Sequence, residues 1–259
     1  MKKIFAMLPC YNEQEDIESL VEKWIGIKRE WENKGYELFV YCIDDKSTDN
    51  TNEIIKGMIE KYPDTVNIIE HDHNKGLGGA IFTAFTFFNN NGQDGDLLVI
   101  MDGDNTHDPC YSLSMPQKIA DEEFCVIASR YCNNSQTKGV SGIRLFMSWG
   151  ARFFYSITLS VPNVKDYTCG YRLYTYSAIK SAIECYGDSF IERQTFACMM
   201  EALYKLSLIG VKFDEVPFEL RYDNKLGESK MPIVRTIIES VGTAISLRIN
   251  KKHFKKNMK

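Results

Sequence analysis

Two aspartates separated by one residue, Asp102 and Asp104, are the side chains best suited to chemistry in this sequence. They follow an apolar run, Asp96–Met101, that predicts a buried strand, so both carboxylates are expected at the end of a strand. Neighbouring carboxylates in an open site suit Mg²⁺ or Mn²⁺, with a diphosphate completing the coordination shell. The alternative interpretation is a surface turn, since Asp-Gly is a common turn pair.

Acidic and hydroxyl side chains continue at alternate positions from Asp102 to Asp108, which is also the spacing of an EF-hand calcium loop. Such a loop requires glycine at its sixth position and glutamate at its twelfth. Those positions hold His107 and Leu113 here, so the calcium-loop interpretation is excluded.

Three other polar segments also follow predicted strands: Pro9–Glu13, Asp44–Asp49 and the glycine-rich Asn74–Ala80. An acid at a strand end is able to accept hydrogen bonds from a nucleotide base or ribose, and a glycine-rich helix start favours anions. Asn74–Ala80 matches neither the dinucleotide-binding GxGxxG motif nor the P-loop. Each segment is equally typical of ordinary structure, namely a turn, a helix cap or the close packing of a helix on the sheet.

Two histidines, His71 and His73, end the third predicted strand. Residues two apart on a strand face the same way, which would suit a metal site. The sequence marks no third ligand nearby, however, so a solvated strand end is the preferred interpretation.

The first half of the chain alternates strands and helices, and this order is what would bring the polar segments together. Strands are predicted at Lys3–Leu8, Glu37–Ile43, Val66–Glu70, Asp96–Met101 and Phe124–Ala128, and helices at Glu15–Trp31, from a cap at Ser47 or Thr48 to Tyr62, and at Gly76–Phe88. Such alternation predicts an α/β fold with a mostly parallel, doubly wound sheet and a ligand crevice at the carboxyl ends of its strands.

The second half is less regular. Helices are predicted at Ser141–Ser160, Ile191–Leu208 and, with an amphipathic pattern, Ile233–Ile249, and a strand at Lys212–Pro217. Neither an internal repeat nor a low-complexity linker divides the chain. We therefore expect one domain over residues 1–232, followed by an amphipathic helix and a basic tail over residues 233–259.

The composition excludes several classes of protein. With 259 residues, 44% of them hydrophobic and 25% charged, the chain is neither disordered, collagenous nor a coiled coil as a whole. Residues 246–259 hold six Lys or Arg and no acid, whereas the remaining 245 residues carry 25 basic and 35 acidic side chains. An acidic body argues against a nucleic-acid binder, and the basic end predicts attraction to something anionic.

The cellular compartment is expected to be the cytoplasm. The eight cysteines are scattered without a CxxC pair, and the chain begins directly on a strand-like run rather than on a signal peptide. Since no run of 18 apolar residues occurs, a membrane-spanning helix is not expected. The sequence leaves the oligomeric state open.

The four strand-end motifs LPCYNE, IDDKSTDNT, NKGLGGA and MDGDNTHDP occur in this order and resemble those of inverting family 2 glycosyltransferases with the GT-A fold. The second half narrows the resemblance through ASRY, DYTCGYRLYT, EVPF and GESK, together with Arg144 and Ser148. This set is similar to dolichyl-phosphate mannose synthases and to bacterial polyprenyl-phosphate glycosyltransferases. The resemblance covers residues 4–232, and its specificity comes from nine features in order.

The resemblance implies roles for particular residues. The nucleoside of a GDP- or UDP-linked sugar would contact Pro9, Tyr11, Glu13, Ile43 and Asp45, and its diphosphate would lie at Asp102 and Gly103. Asp102 and Asp104 would hold Mg²⁺ or Mn²⁺, with Thr106 at a position where the family often has glutamine. Asp104, Arg130 and Lys230 would be catalytic, and Asp166, Arg172, Arg144, Arg221 and Glu201 would line the acceptor side.

One departure from the family bears on the sugar. The mannose synthases place an arginine three residues before the glycine of GxSK, where this chain has Asn224, and the nearest arginine is Arg221. The longer RYDNKLGESK segment is closer to the bacterial members, which weakens a case for GDP-mannose.

The activity implied by the resemblance is the transfer of a sugar to a polyprenyl phosphate, as in cell-envelope glycan synthesis. A phosphate monoester with a second pKa of about 6 is largely dianionic at neutral pH, so it needs no general base. A glycan hydroxyl as acceptor is the alternative; it would require a carboxylate base, for which Glu201 is the candidate. A catalytically silent module that only binds nucleotide sugars is the second alternative.

Contact with the cytoplasmic membrane surface is also expected, as a peripheral protein. The aromatic segment Ile143–Val161 suits a helix lying in the membrane interface, and equally suits an aromatic core helix. The lysines after Asn250 would add about 1 kcal/mol each near anionic lipid, whereas the alternative is a merely solubilising tail.

Overall fold

A seven-stranded, mostly parallel sheet forms the centre of the molecule in the computed structural model of the chain. Its strands are β1 (Lys2–Cys10), β2 (Tyr36–Asp44), β3 (Val66–Glu70), β4 (Leu97–Ile100), β5 (Phe124–Ser129), β7 (Arg172–Thr175) and β8 (Lys212–Pro217). Two short strands, β6 (Gln136–Lys138) and β9 (Glu219–Arg221), form a separate parallel pair. The predicted α/β architecture is confirmed.

The structure describes residues 1–139, 142–224, 233–251 and 254, and within them the side chains of residues 142–148, 224 and 233–235 are not considered. Lys230, the GESK run and most of the basic tail therefore lie outside the described residues, as does the side chain of Arg144.

The strand order β3-β2-β1-β4-β7-β5-β8 places the crevice. β1 pairs in parallel with β2 on one side and with β4 on the other. The chain therefore adds β2 and β3 on one side of β1 and then returns to add β4 on the other side. Ligands of open α/β sheets bind at such a switch point, outside the carboxyl ends of the strands. The segments that follow β1, β2 and β4 all begin at this edge.

Eight helices are described: α1 (Ile17–Gly26), α2 (Lys28–Asn33), α3 (Thr51–Lys61), α4 (Gly76–Asn91), α5 (Gly142–Leu159), α6 (Tyr176–Tyr186), α7 (Ala197–Ile209) and α8 (Ile233–Ile249). The helix predicted at Glu15–Trp31 is broken at Ile27, whose backbone leaves the helical region. The helix predicted at Ile233–Ile249 agrees with the structure at both ends, and the others are present with one or both ends shifted.

Two helices begin later than predicted because the preceding backbone has other partners. The N–H of Ser47 donates to the Asp44 carboxylate over 3.0 Å, so the residues before α3 form a turn. The N–H groups of Glu192 and Arg193 both donate to the Glu201 carboxylate over 2.9 Å, which keeps the segment before α7 non-helical.

The sequence prediction missed β7 and α6. β7 is antiparallel to both of its neighbours, β4 and β5. The alternation of strands and helices predicts only parallel pairs, and a four-residue strand that begins with arginine carries no apolar pattern of its own.

The core lies on both faces of the sheet. Residues Ile4–Leu8 of β1 are at most 2% exposed, as expected for a strand covered on both sides. Phe88 of α4 meets Phe5 edge-on with 5.3 Å between ring centroids, and Phe85 meets Tyr174 of β7 in the same way at 5.2 Å.

The start of α4 is fixed by close backbone contact with the segment before α7. The N–H of Gly78 donates to the carbonyl of Gln194 over 3.1 Å, and a Cβ on Gly78 would lie 1.8 Å from the carbonyl oxygen of Arg193. The structure shows close packing at the glycine-rich segment, against the chain before α7 rather than against the sheet. Its attraction for anions stays a prediction.

Replacement of Gly78 by alanine is predicted to lower the free energy of unfolding by about 1–3 kcal/mol, because the added methyl group overlaps a backbone carbonyl. Gly57→Ala is the matched control: Gly57 is exposed within α3 with nothing near its Cβ position, so the substitution should stabilise by about 0.5–1 kcal/mol. Urea unfolding of both variants measures the difference. Equal effects of the two substitutions would contradict the packing argument.

Candidate active site

The loop after β4 presents the two aspartates at the crevice, and it is held against β1. The N–H of Gly103 donates to the carbonyl of Pro9 over 3.2 Å, and a Cβ on Gly103 would lie 2.7 Å from that oxygen. Glycine is therefore required for this approach. It brings Asp102 and Asp104 beside the segment that follows β1.

Thr106 orients the second aspartate. Its hydroxyl donates to Oδ1 of Asp104 over 2.6 Å and its backbone N–H donates to the same oxygen over 3.2 Å. Thr106 is itself buried. The structure thus shows Thr106 as a hydrogen-bond partner of the Asp104 carboxylate, and its role as a third metal ligand stays a prediction.

A buried ion pair holds Arg130, which lies one residue beyond β5. The guanidinium donates from Nε to Oδ2 of Asp166 over 2.7 Å and from Nη2 to Oδ1 over 2.6 Å, and the backbone N–H of Arg130 adds a third bond of 3.1 Å. The hydroxyl of Thr168 accepts from Nη2 over 2.6 Å. Burial alone would raise the pKa of Asp166, but the charge of Arg130 outweighs it and lowers that pKa.

The segment Asp166–Gly170 connects this pair to the aspartate loop. At its far end, a Cβ on Gly170 would lie 2.9 Å from Oδ1 of Asp102. One short segment therefore contacts both the Arg130 guanidinium and the Asp102 carboxylate. The structure therefore brings the Asp102 carboxylate, a group suited to bind a cation, and the positive side chain of Arg130 to the same edge of the sheet.

Glu215, the first residue of the EVPF motif, supports the same segment. Its Oε1 accepts the N–H groups of Lys165 and Asp166, each over 2.7 Å. The residue is buried on β8, and burial raises the pKa of its carboxyl. The sequence signal available for this role was an acid within the predicted strand Lys212–Pro217.

His107 lies next to the aspartate loop but is enclosed. Its ring stacks on Phe218 at 5.3 Å and meets Tyr171 edge-on at 5.6 Å, and its Nδ1 is 3.3 Å from the Thr106 hydroxyl. Burial lowers its pKa to about 4, although the charge of Asp104 acts in the opposite direction. His107 is therefore neutral at physiological pH and supports the loop from within the core.

Tyr222, which follows β9, was not among the predicted site residues. Although 36% of the residue is exposed, partial removal from water is the main cause of its raised pKa. The charges of Arg130 and of both aspartates, Asp102 and Asp104, also act on it. The backbone N–H of the preceding residue, Arg221, donates to the Thr106 carbonyl over 3.0 Å. These interactions bring Tyr222 close to the charged groups, and the sequence had pointed only to its neighbour.

The predicted nucleoside residues lie at the ends of β1 and β2. Tyr11 is 40% exposed, whereas Ile43, Asp45 and Pro9 are buried. The N–H of Glu13 donates to the hydroxyl of Thr51 over 2.8 Å, which fixes the loop after β1. In the parallel pairing of β1 with β2, Pro9 lies opposite Ile43. The structure thus gathers these residues at one end of the crevice.

Two expected acceptor residues are corrected by the structure. Arg172 is completely buried in β7, where it donates to the carbonyls of Met199 over 2.6 Å and Tyr167 over 3.0 Å. Glu201 is 1% exposed and binds the Lys205 ammonium over 2.7 Å. Both side chains hold the fold together, and neither faces an incoming acceptor.

The remaining acceptor candidates differ in their surroundings. Asp166 is the buried partner of Arg130, so it positions that guanidinium. Arg221 is paired with Asp223 through two bonds of 2.9 Å on the surface. Arg144 lies on α5 with its side chain outside the described part of the chain, where Lys230 also lies.

Comparison with known proteins identifies this arrangement. The family model described as glycosyl transferase family 2 matches residues 6–182. An undecaprenyl-phosphate mannosyltransferase from Micrococcus luteus is 28% identical over 88% of this chain and 87% of its own length. A dolichyl-phosphate beta-glucosyltransferase from Trichomonas vaginalis is 24% identical over 93% of this chain and 71% of its own length. An undecaprenyl-phosphate 4-deoxy-4-formamido-L-arabinose transferase from Photorhabdus laumondii is 23% identical over 92% and 65%, respectively.

Solved structures share the fold at lower identity. Glucosyl-3-phosphoglycerate synthase from Mycobacterium tuberculosis, in complex with Mn²⁺, UDP-glucose and phosphoglyceric acid, superimposes with a TM-score of 0.65 at 13% identity, over 95% of this chain and 80% of its own. Mannosyl-3-phosphoglycerate synthase from Rubrobacter xylanophilus gives 0.60 at 13% identity, over 97% and 75%. These likenesses confirm the GT-A fold.

The enclosed His107 predicts a loss of stability between pH 6.5 and about 4. The unfolded chain binds a proton in this range and the folded chain does not, so folding is fully favoured above pH 6.5 and weakens as the pH falls. The loss approaches about 3 kcal/mol near pH 4. Urea unfolding across this range, in buffer with a chelator, measures it. The His107→Phe variant should lose this part of the pH dependence, and the exposed-site control His73→Phe should keep it.

Proposed function

This chain belongs to glycosyl transferase family 2, and on that premise we propose that it transfers a sugar, with inversion, from a nucleoside-diphosphate donor to a polyprenyl phosphate. The single observation that carries the proposal is the segment Asp166–Gly170, which contacts both Arg130 and Asp102. The Arg130 guanidinium is able to bind a phosphate, and Asp102 and Asp104 are able to hold a cation that binds a diphosphate. Their position at one edge of the sheet suits a reaction between two phosphate-bearing substrates. We also infer a catalytic domain over residues 1–232, followed by an appended helix and tail. The appended helix, α8, packs on α5 and α7 of that domain.

The donor side rests on Asp102 and Asp104. Their oxygen-only donor set fits Mg²⁺ or Mn²⁺, and among the described residues no third acid, histidine or cysteine joins them. This fits a site in which donor phosphate oxygens supply other ligands. The mycobacterial synthase, which shares the fold, was solved in complex with both Mn²⁺ and UDP-glucose. The cation would supply positive charge to the leaving diphosphate. We place the nucleoside at Tyr11, Glu13 and Asp45.

The acceptor is inferred from the relatives and from Arg130. Three relatives are named for transfer to undecaprenyl or dolichyl phosphate. Asp166 raises the pKa of Arg130 above its usual value despite the burial that acts in the opposite direction, so the guanidinium stays charged. Its side chain keeps 21% of its surface exposed, which leaves it able to attract a phosphate.

The bond changes balance without a protein base. An oxygen of the polyprenyl phosphate forms a bond to C1 of the sugar, the bond from C1 to the diphosphate oxygen breaks, and its electron pair leaves with the nucleoside diphosphate. Attack from the face opposite the leaving group inverts C1. A dianionic phosphate carries no proton on the attacking oxygen. The enclosed state of Glu201 disfavours the glycan-hydroxyl alternative, for which it was the candidate base.

Replacement of Asp104 by asparagine is predicted to reduce transfer at least about 100-fold, because one of the two charges facing the cation and diphosphate is removed. The assay supplies a panel of nucleotide sugars, Mg²⁺ or Mn²⁺ and short polyprenyl phosphates, followed by mass analysis of the lipid. Asp121→Asn, an exposed carboxylate away from the site, is the matched control and should retain full activity. Undiminished turnover of the Asp104 variant would refute the assignment. A water-soluble glycoside as the product would favour the hydroxyl acceptor. Absence of product from every combination of nucleotide sugar and acceptor would favour a binding module.

We further propose that the enzyme works at the cytoplasmic membrane surface as a peripheral protein. Among the described helices, none is long and apolar enough to cross a membrane. α5 exposes Trp149, Phe153 and Ile157, each above 60%, at a spacing of four residues that forms one stripe. The neighbouring α8 exposes Ile245 and Ile249. Apolar stripes on two adjacent helices, with basic residues following α8, suit the membrane interface.

The double variant Phe153→Ser with Ile157→Ser is predicted to bind anionic lipid vesicles about tenfold or more weakly, since two exposed apolar side chains no longer enter the interface. Co-sedimentation at low salt measures binding. Phe196→Ser is the control, because Phe196 is exposed in the segment before α7. Unchanged binding of the double variant would contradict the assignment of this surface.

A further inference from the structure

His71, expected to be solvated at the end of β3, is buried and connects β2 to α4. Its Nδ1 lies 2.7 Å from Oδ1 of Asp45, and its Nε2 lies 2.9 Å from the hydroxyl of Thr83 on α4. Its backbone N–H donates to the Asp44 carbonyl over 2.9 Å. Since a carboxylate only accepts, Nδ1 carries the hydrogen, and the imidazole is a fixed donor to Asp45.

Oδ1 of Asp45 receives a second hydrogen bond, from the backbone N–H of Lys75 over 2.7 Å. The backbone of Asp45 is fixed as well, because its N–H donates to the Cys10 carbonyl and its carbonyl accepts from the Asn74 amide. The donors on Oδ1 therefore occupy one side of the carboxylate. Within the described part of the chain no donor reaches Oδ2, although the side chain is only 5% exposed.

The neighbouring acid, Asp44, does not share this difference between a bonded and an unbonded carboxylate oxygen. In Asp44, Oδ1 accepts from the Ser47 N–H and Oδ2 from the Asn52 amide, each over 3.0 Å. Both oxygens of Asp44 are thus used by the fold. Asp45 alone of the pair presents a carboxylate oxygen for another molecule.

The position of Asp45 fits the base of a bound nucleotide. It follows β2, and β1 separates β2 from β4, whose end carries Asp102 and Asp104. Two strand spacings amount to roughly 10 Å along the crevice. An extended nucleoside diphosphate spans about this distance from its phosphates to the edge of its base.

We propose that this single acceptor selects a uracil base, so that the donor is a uridine-diphosphate sugar rather than a guanosine-diphosphate sugar. The inference rests on the proposed function and narrows its donor. Uracil presents one N–H between two carbonyls, which one carboxylate oxygen accepts. Guanine presents two adjacent donors that match two carboxylate oxygens, and here Oδ1 is already occupied by His71 and Lys75. Cytosine presents a ring-nitrogen lone pair, which a carboxylate repels.

Calorimetric titration of the whole chain with UDP, GDP and CDP in Mn²⁺ tests the proposal. We expect UDP to bind about tenfold or more tightly than GDP or CDP, as an unmatched buried donor or acceptor would cause. GDP binding as tight as UDP would overturn this inference and leave the transferase proposal standing. Absence of binding by all three nucleotides would instead count against the proposed function.

The His71→Phe variant tests the positioning role of the imidazole. Without its N–H, Oδ1 keeps only the bond from the Lys75 N–H and regains one acceptor position. We therefore expect the ratio of GDP to UDP dissociation constants to fall toward one, a change that mere loosening of the fold would not produce. His73→Phe, altering a side chain that is 70% exposed, should leave the ratio unchanged. An unaltered ratio in a folded His71→Phe protein would refute the role. If that variant does not fold, His71→Leu, which also removes the N–H that Oδ1 accepts, serves the same comparison.

Discussion

The buried carboxylate of Asp166 is the constraint on which the geometry of the site depends. A carboxylate withdrawn completely from water is costly unless every acceptor position is matched, and this one accepts from Arg130 and from the N–H groups of Thr168 and Cys169. Those bonds fix both the guanidinium and the course of the chain to Gly170. Because Gly170 touches Asp102, the position of the aspartate loop follows from the same buried charge.

Other buried acids organise the remaining loops at this edge of the sheet in the same way. Glu201 is matched by Lys205 and by two backbone N–H groups, which fixes the segment that packs on the start of α4. Asp45 is matched by His71 on one oxygen, and Glu215 holds the start of the Asp166 segment. These acids are buried, and each of them fixes the backbone of a neighbouring segment.

Strand positions and the gathering of strand-end motifs could be predicted because both follow from local apolar runs and their order. Val66–Glu70 and Lys212–Pro217 agree with the structure at both ends. The antiparallel β7 could not be predicted, because its pairing with β4 and β5 depends on contacts distant in sequence. The same holds for His71, whose burial accompanies its contacts with Asp45, which follows β2, and with Thr83 of α4.

The contrast between two arginines shows why residue type alone does not identify a site. Arg172 lies within β7, opposite Ile100 on one side and Ile127 on the other, so its guanidinium is enclosed and satisfies backbone carbonyls. Arg130 lies one residue past the end of β5, where the chain leaves the sheet. Both residues belong to motifs that resemble the family. Only the one beyond a carboxyl strand end combines a buried partner with an exposed surface, and that combination is what a phosphate-binding side chain requires.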